Sequence, residues 1–167
     1  DIATNTITAD DAISVADGAQ MKISTGTFNA DGTFTANSSG AVTFSDAGAL
    51  ILSNTVTSLG TFTKSTGTVT YDEADAQTVD NVDYHHLVIS GGATKSLSNT
   101  TNVGGDLTVT ASTTVLAVGS NTIDVNGTTA ISSSGTVTVS TGTFDADGTM
   151  NCSANFTFTD AGALNLS

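Results

Sequence analysis

The adjacent histidines His85 and His86 are the side chains best suited to bind a transition metal, and Asp80 and Asp83 lie close to them in the sequence. Imidazole nitrogens and carboxylate oxygens are both ligands that zinc accepts. In a β-strand, however, consecutive side chains point to opposite faces, so two adjacent imidazoles reach one metal only across a bulge. We therefore expect the histidines to fill strand and surface positions, with a metal site as the alternative.

Acidic residues form a second group with chemical potential, because calcium binds carboxylate oxygens. They occur in two related turns, NADG at 29–32 and DADG at 145–148, and in the acidic stretch DEAD at 72–75. Neither the complete EF-hand pattern nor the glycine-rich calcium repeat of some solenoids is present. We expect turn chemistry, with a weak calcium site as the alternative and no other cofactor. The candidate calcium ligands are Asp31, Asp145, Asp147, Asp72 and Asp75.

Three further features bear on function. Cys152, the only cysteine, aligns with Ala36 in the repeat described below, so we expect a buried thiol that acts as a small apolar residue. Threonine pairs such as Thr68 and Thr70 would order water and bind ice only in strictly aligned rows, and their spacing drifts. Glycoside cleavage needs two positioned carboxyl groups. A chain with one Glu, no Arg and no Trp lacks the usual sugar-binding residues, so we expect no enzyme.

The composition excludes several classes of protein. Three Lys, no Arg and 16 acidic residues give a net charge of -13, which opposes binding to nucleic acid or to an anionic membrane surface. No apolar run approaches the ~20 residues of a membrane span, so no membrane insertion is expected. Charged residues make up only 11% of the chain, and Thr and Ser together make up roughly a third. This bias argues against helices and suits the outside of a bacterial cell.

An internal repeat is the strongest signal in the sequence. STGTF at 24–28 recurs at 140–144, ADGT at 30–33 recurs at 146–149, and DAGAL at 46–50 recurs at 160–164 after a two-residue deletion. Residues 5–120 therefore form one long repeat of about 116 residues, and residues 121–167 begin a second copy. Inside it runs a shorter period of about 20–22 residues, and a unit that small must stack on its neighbours to bury its apolar face.

Strictly alternating stretches predict short β-strands with one buried face. Examples are TGTVTY at 66–71, LTVT at 107–110 and TVTVS at 136–140, with Gly, Asn, Asp and Ser between such stretches. Short strands with frequent turns fit either an antiparallel sandwich or a parallel β-solenoid. The short period matches one solenoid coil, and the absence of Pro preserves every ladder hydrogen bond, so both features favour the solenoid.

We therefore predict an all-β fold in which residues 1–167 form a single parallel β-solenoid (β-helix) segment of about eight short coils with uncapped ends. At ~4.8 Å per coil the stack would be roughly 40 Å long. The side chains expected to point inward are apolar and alternate along the strands. They are Ile7, Ile13, Phe28, Phe34, Val42, Phe44, Leu50, Leu52, Phe62, Val69, Leu87, Ile89, Leu107, Val109, Val125, Val137, Val139, Phe144, Phe156, Phe158 and Leu164.

Residues 60–128 resemble a known class of repeats. The motifs that carry the resemblance are GTVTY at 67–71, AQTV at 76–79, YHHLVISGG at 84–92, TKSL at 94–97 and VGGDLTV at 103–109. They are similar to the tandem repeats of very large secreted bacterial surface proteins, except at His85 and His86, where those repeats have an aromatic residue followed by Asn. The resemblance implies a β-solenoid stalk of an adhesin or extracellular matrix protein.

The expected function is therefore structural and adhesive, as a stalk or filament segment at the bacterial cell surface. An uncapped solenoid end exposes unpaired main-chain groups and an apolar cross-section. The expected partners are copies of itself or further repeats of the same chain, end to end, with surface glycans as a further candidate. A carbohydrate- or ice-binding module is the alternative, and a glycan-degrading β-helix enzyme is the remoter one. Because the chain begins at Asp1 rather than Met, we expect a processed chain or a piece of a longer one.

Overall fold

Every regular element in the structure, a computed structural model that describes residues 1–167, is a β-strand. The chain contains 23 short strands, and all paired strands run parallel. The predicted parallel β-solenoid is therefore confirmed, and the antiparallel sandwich is excluded. None of the chain forms a helix with the length and apolar character needed to cross a membrane.

The strands group into eight successive coils, and each coil except the fourth contains three strands. In chain order they are β1 (Thr6–Ala9), β2 (Ile13–Val15), β3 (Gln20–Ile23); β4 (Thr27–Ala30), β5 (Phe34–Ala36), β6 (Ala41–Phe44); β7 (Ala49–Leu52), β8 (Val56–Ser58), β9 (Thr61–Thr63); β10 (Thr68–Tyr71), β11 (Gln77–Val79); β12 (His86–Ile89), β13 (Thr94–Leu97), β14 (Thr101–Val103); β15 (Leu107–Val109), β16 (Val115–Gly119), β17 (Thr122–Val125); β18 (Thr129–Ile131), β19 (Thr136–Val139), β20 (Thr143–Ala146); β21 (Met150–Cys152), β22 (Asn155–Phe158) and β23 (Ala163–Leu166).

The coils stack so that the strands form three sides, which we name face 1, face 2 and face 3. Face 1 is one eight-stranded sheet made of the first strand of every coil, β1-β4-β7-β10-β12-β15-β18-β21. Face 2 contains the second strands, as the sheets β2-β5-β8 and β11-β13-β16-β19-β22. Face 3 contains the third strands, as the sheets β3-β6-β9 and β14-β17-β20-β23.

The fourth coil is shorter than its neighbours. Register partners lie 18 residues apart across the fourth coil (Thr68 and His86), against 19 across the third (Ala49 and Thr68) and 20 across the fifth (Leu87 and Leu107). Its third side is reduced to an isolated parallel bridge between Tyr84 and Val103. Face 3 is consequently split into two sheets at this level, while face 1 runs unbroken along the whole stack.

Alternation within each strand sends every second side chain into the interior, where parallel register stacks it on the equivalent residue of the next coil. On face 1, Leu50, Val69 and Leu87 form one such column, and each is at most 1% exposed. Most of the predicted inward residues are indeed buried. The exceptions are Ile13, Phe62 and Phe156, which are half-buried, and Ile7, Phe158 and Leu164, which are exposed.

Phe62 belongs to β9, above which the fourth coil has no third strand. The other five exceptions lie in the end coils. Ile7 and Ile13 belong to the first coil, and Phe156, Phe158 and Leu164 belong to the last, so each lacks a coil on one side. Ile7 pairs with Phe28 in the inward column, yet it is 44% exposed while Phe28 is 7% exposed. The predicted direction of these side chains was right, and the prediction of their burial was wrong.

Close approach between coils makes Gly67 a sensitive position. A Cβ atom there would lie 2.3 Å from the ring of Phe44, which is buried and packs edge-to-face on Phe62. We expect Gly67→Ala to reduce the free energy of unfolding by roughly 1–3 kcal/mol, because the Phe44 ring must move inside a close-packed interior. Urea unfolding measures this change.

Gly104→Ala is the matched control, since its Cβ would meet first the flexible end of Lys64, at 3.4 Å. We expect its free energy of unfolding to change by no more than an ordinary surface substitution does, about 0.5 kcal/mol. Equal losses in the two variants would contradict the close contact between Gly67 and Phe44.

Candidate functional site

The last coil presents an apolar surface that the inner coils keep buried. Leu166 is 63% exposed, although Ala146 directly beneath it is 0% exposed. Phe158 is 41% exposed above Val139, which is 0% exposed. We name the inward-pointing apolar side chains of this coil the C-terminal end surface. They are Met150, Cys152, Phe156, Phe158, Leu164 and Leu166.

The first coil presents a second apolar surface, which is partly covered. On face 3, Ile2 forms an isolated bridge with Ile23, and its N–H donates to the carbonyl of Lys22 at 2.9 Å. Strands β1 and β2 have no such cover, so their outer edges are free. We name the apolar side chains left incompletely buried here the N-terminal end surface. They are Ile7, Ala9, Ile13 and Met21.

The interior of the stack shows what covers an end surface of this kind. By the sequence repeat, β21 corresponds to β5, and β5 is covered by β8 with Phe34 opposite Val56. Ala36, the equivalent of Cys152, is therefore only 1% exposed. Cys152 itself is exposed, so the predicted buried thiol is wrong for this position. Its side chain lies in the inward column above Ile131, and β21 is the last strand of face 1 within residues 1–167.

A lysine lies inside the stack, and its ammonium replaces an apolar side chain in the inward column of face 2. Lys95 is 0% exposed and stands between Gln77 below and Leu116 above. Its Nζ donates to three main-chain carbonyls, those of Glu73 at 2.5 Å, Asp75 at 2.9 Å and Gly92 at 2.7 Å.

The same ammonium holds the acidic turn 72–75 against the turn that follows β12. Burial lowers the pKa of Lys95, and the carboxylates of Glu73, Asp72 and Asp75 oppose that shift. The three carbonyl acceptors supply the hydrogen bonds that a charged group needs away from water. Lys95 therefore provides an internal cation at the very turn whose acidity suggested calcium.

Gln77 also supplies a buried hydrogen-bond donor to main-chain carbonyls, one coil below Lys95. It is 5% exposed, and its amide nitrogen donates to the carbonyls of Leu52 at 3.0 Å and Asn54 at 2.6 Å. Neither residue was predicted to point inward. The signal was present, because Lys95 precedes Leu97 by two residues and Gln77 precedes Val79 by two, and period two places such residues on one face.

Two tyrosines fill the short fourth coil. Tyr71 and Tyr84 are 0% exposed and join hydroxyl to hydroxyl at 2.8 Å. The Tyr71 hydroxyl accepts from the N–H of Asp80, and the Tyr84 hydroxyl donates to the carbonyl of Asp80. Burial raises the pKa of both phenols, so they stay neutral. The pair ties the loop around Asp80 to the core where the third strand is missing.

The two histidines lie closer together than strand geometry predicted. Their ring centroids are 4.3 Å apart in an edge-to-face arrangement, because His85 lies in the turn before β12 and only His86 is in the strand. The N–H of Asp106 donates to Nδ1 of His86 at 3.0 Å. Burial, followed by His86 and Lys64, lowers the pKa of His85. The expectation that adjacent imidazoles separate was wrong here, and metal binding by them stays a prediction.

The acidic candidates fall into two separate groups. Asp31, Asp72 and Asp75 lie in turns between faces 1 and 2, whereas Asp145 lies on face 3 and Asp147 at its end. Asp72 accepts from the Ser53 hydroxyl at 2.8 Å, and Asp147 accepts from the Ser167 hydroxyl at 2.7 Å. No three His, Cys, Asp or Glu side chains of the chain are grouped so that they could hold a metal ion. Calcium binding at these residues stays a prediction.

Asp145 has a like-charged neighbour that the sequence did not reveal. Asp124 is its partner in the coil below, on the outer side of face 3. Burial, followed by the charges of Asp147 and Asp145, raises the pKa of Asp124. Only the register between two coils brings these carboxylates together, because Asp124 and Asp145 are distant in the sequence.

The outward threonines do not form one uniform row. On face 1, register aligns Thr70 with Ile51 below it and Val88 above it. On face 2 the outward column is richer in hydroxyl groups. It contains Thr78, Ser96, Ala117, Thr138 and Thr157.

A shallow groove lies beside the N-terminal end surface. Its lining includes Asp1 and Lys22, whose charged groups are 3.9 Å apart, together with neutral residues of β2 and β3. Asp1 is the only carboxylate in that lining. Glycoside hydrolysis uses two carboxyl groups across the bond that breaks, so the groove does not supply that pair.

The fold and its surfaces define the chain as a parallel β-solenoid repeat protein, built on a long sequence repeat. Comparison with models of protein families, with curated proteins and with solved structures finds no match to this chain.

Replacing the internal ammonium tests its structural role. We expect Lys95→Met to lower the free energy of unfolding by about 2 kcal/mol, because three buried carbonyls lose their donor. Lys22→Met is the control, since Lys22 is half-exposed and its ion pair is long, and we expect about 0.5 kcal/mol or less. Chemical unfolding followed by circular dichroism measures both. A Lys95 variant as stable as the Lys22 variant would refute the role.

The lowered pKa of His85 predicts a specific dependence of stability on pH. The pKa of His85 is lowered from its ordinary value of 6.5, so its contribution to stability is present above about pH 6.5 and is lost as the pH falls through the lowered pKa. We expect the melting temperature of the wild-type chain, relative to His85→Gln, to fall between about pH 8 and about pH 5. A difference that stays constant over this range would show that His85 does not titrate in this environment.

Proposed function

We propose that this chain is a segment of an extracellular structural shaft, the stalk or filament of a bacterial surface adhesin or fibre, with no catalytic role. Its end surfaces are covered by further coils of the same repeat, in the continuing chain or in another copy. Main-chain hydrogen bonds and apolar contact join each coil to the next, so the shaft gains stability as it gains length.

The observation that carries this proposal is the exposure of inward columns in the outermost coils. Leu166 and Phe158 stand in columns that are fully buried one coil below. The outer edges of β21, β22 and β23 also present unpaired main-chain donors and acceptors, and an edge of this kind is a template for another strand.

The repeat predicts the sequence of the segment that would cover the last coil. Because β23 corresponds to β7, the segment expected above the last coil resembles β8, β9 and β10. Within the chain, β8 places Val56 over Phe34, and β9 places Phe62 over Val42. An apolar strand edge of the same kind would bury the C-terminal end surface in the same way.

The alternative functions draw less support from the geometry. The outward column of face 1 mixes Asn29, Ile51, Thr70 and Val88, so it does not offer the uniform threonine row of an ice-binding surface. The groove beside the first coil has one carboxylate, Asp1, where a glycosidase needs two. A solvated shaft with mixed outward residues has neither requirement.

Cys152 is a natural reporter for the end surface, because the chain has no other thiol. Adding the sequence of residues 54–71 after Ser167 should continue the stack and cover β21. We expect the reaction of Cys152 with a thiol reagent to slow by ~10-fold or more, because a covered thiol reacts only after local opening. The same slowing with rising concentration of the unextended chain would show stacking of copies.

A Gly/Ser-rich tail of equal length is the control, since it cannot form the strand pairs. It should leave the thiol as reactive as in the unextended chain. If the repeat extension protects Cys152 no better than the Gly/Ser tail, and concentration does not protect it either, the end surfaces do not accept further coils.

A further inference from the structure

Equivalent strands of the two copies of the sequence repeat lie on different faces of the stack. Strand β4, with the sequence TFNA, recurs in the second copy as β20, with the sequence TFDA. Strand β4 belongs to face 1, whereas β20 belongs to face 3. Two nearly identical strands therefore lie on different sides of the stack.

Other repeated strands shift in the same direction. Strand β7 (ALIL) lies on face 1, and its counterpart β23 (ALNL) lies on face 3. Strand β5 lies on face 2, and its counterpart β21 lies on face 1. The whole second copy is thus rotated by one face, rather than locally rearranged.

The length of the repeat accounts for the rotation. From β1 to its counterpart β17 the chain makes 16 strands, and the bridge at Tyr84 supplies the third side of the fourth coil. These 17 sides are one fewer than the 18 sides of six coils. Each repeat therefore ends one side short of a whole number of turns.

From this mismatch we propose that the surface motifs of the repeat wind around the shaft, moving by one face with each copy. Successive copies of a motif then point about 120° apart and lie ~27 Å apart along the axis, and every third copy returns to the same face. The winding is present within this chain, and its extension along many repeats rests on the proposed function.

The winding determines which kind of partner can contact several copies of the motif at the same time. A flat lattice, such as ice or a crystalline polysaccharide, would meet the same motif only at every third repeat, ~80 Å apart. A hydrated polymer network around the shaft would meet it from all sides. The partner that fits is a neutral, hydroxyl-rich polymer, because the outward residues are largely hydroxyls and amides, which hydrogen-bond to hydroxyl groups, and the net charge of -13 repels an anionic polymer.

Cross-linking of neighbouring coils within the chain tests the winding. The pairs Thr70 with Val88, Val88 with Thr108, and Thr108 with Ala130 are outward register partners that connect β10 to β18 on face 1. Each pair is converted to two cysteines in a Cys152→Ala background, so that no other thiol is present. We expect all three pairs to be joined by a short dithiol-bridging reagent ~10-fold faster than a pair on different faces.

Thr108→Cys with Asp124→Cys is the matched control pair, because these residues lie on faces 1 and 3 of the same coil. If one of the three test pairs reacts no faster than this control, β10 and β18 do not share a face and the winding is refuted. The cross-links depend only on which face each strand of one chain occupies. Their result is therefore independent of whether the end surfaces accept further coils.

The polymer partner has its own test. The chain is passed through a column of neutral hydroxyl-rich polymer, with an anionic polymer as comparison. Retention on the neutral polymer alone supports the partner. Equal passage through both columns, or measurable thermal hysteresis of ice growth, would overturn it.

Discussion

Parallel hydrogen bonding between successive coils is the constraint on which the rest of this structure depends. Each strand N–H and carbonyl finds its partner in the coil below or above, and that ladder sets the register of every side chain. Register in turn places Leu50, Val69 and Leu87 in one buried column. A shift by one residue would turn the apolar set outward, so hydrogen bonding and hydrophobic burial specify the same arrangement.

The same constraint explains where polar groups enter the interior. The fourth coil forms no third strand, and Tyr84 alone bridges to Val103 there. In the turns between faces 1 and 2 several carbonyls accept no main-chain hydrogen bond, and the buried donors of Gln77 and Lys95 reach them. These polar side chains enter the stack at turns, because buried carbonyls without main-chain partners need other donors.

Stacking also makes the ends of the solenoid differ from its sides. The inner coils bury most of their inward side chains, whereas Leu166 and Ile7 in the outermost coils are exposed. The outward side chains of the faces mix threonine with apolar residues, as Thr70, Ile51 and Val88 do on face 1. The proposed axial continuation depends on the end surfaces and the proposed winding depends on the faces, so the two proposals are separate.

The amino-acid sequence by itself determined the strand type, the parallel coiled architecture and most of the inward columns, because period two and the internal repeat are local patterns. It did not reveal that His85 lies against His86 or that Asp124 opposes Asp145. Those contacts depend on the exact length of each coil and its turns. The exposure of Cys152 has another cause, because its strand β21 belongs to the last coil of the structure. Only the tertiary structure decides which turn is shortened, and hence which residues meet across coils and which face each repeat occupies.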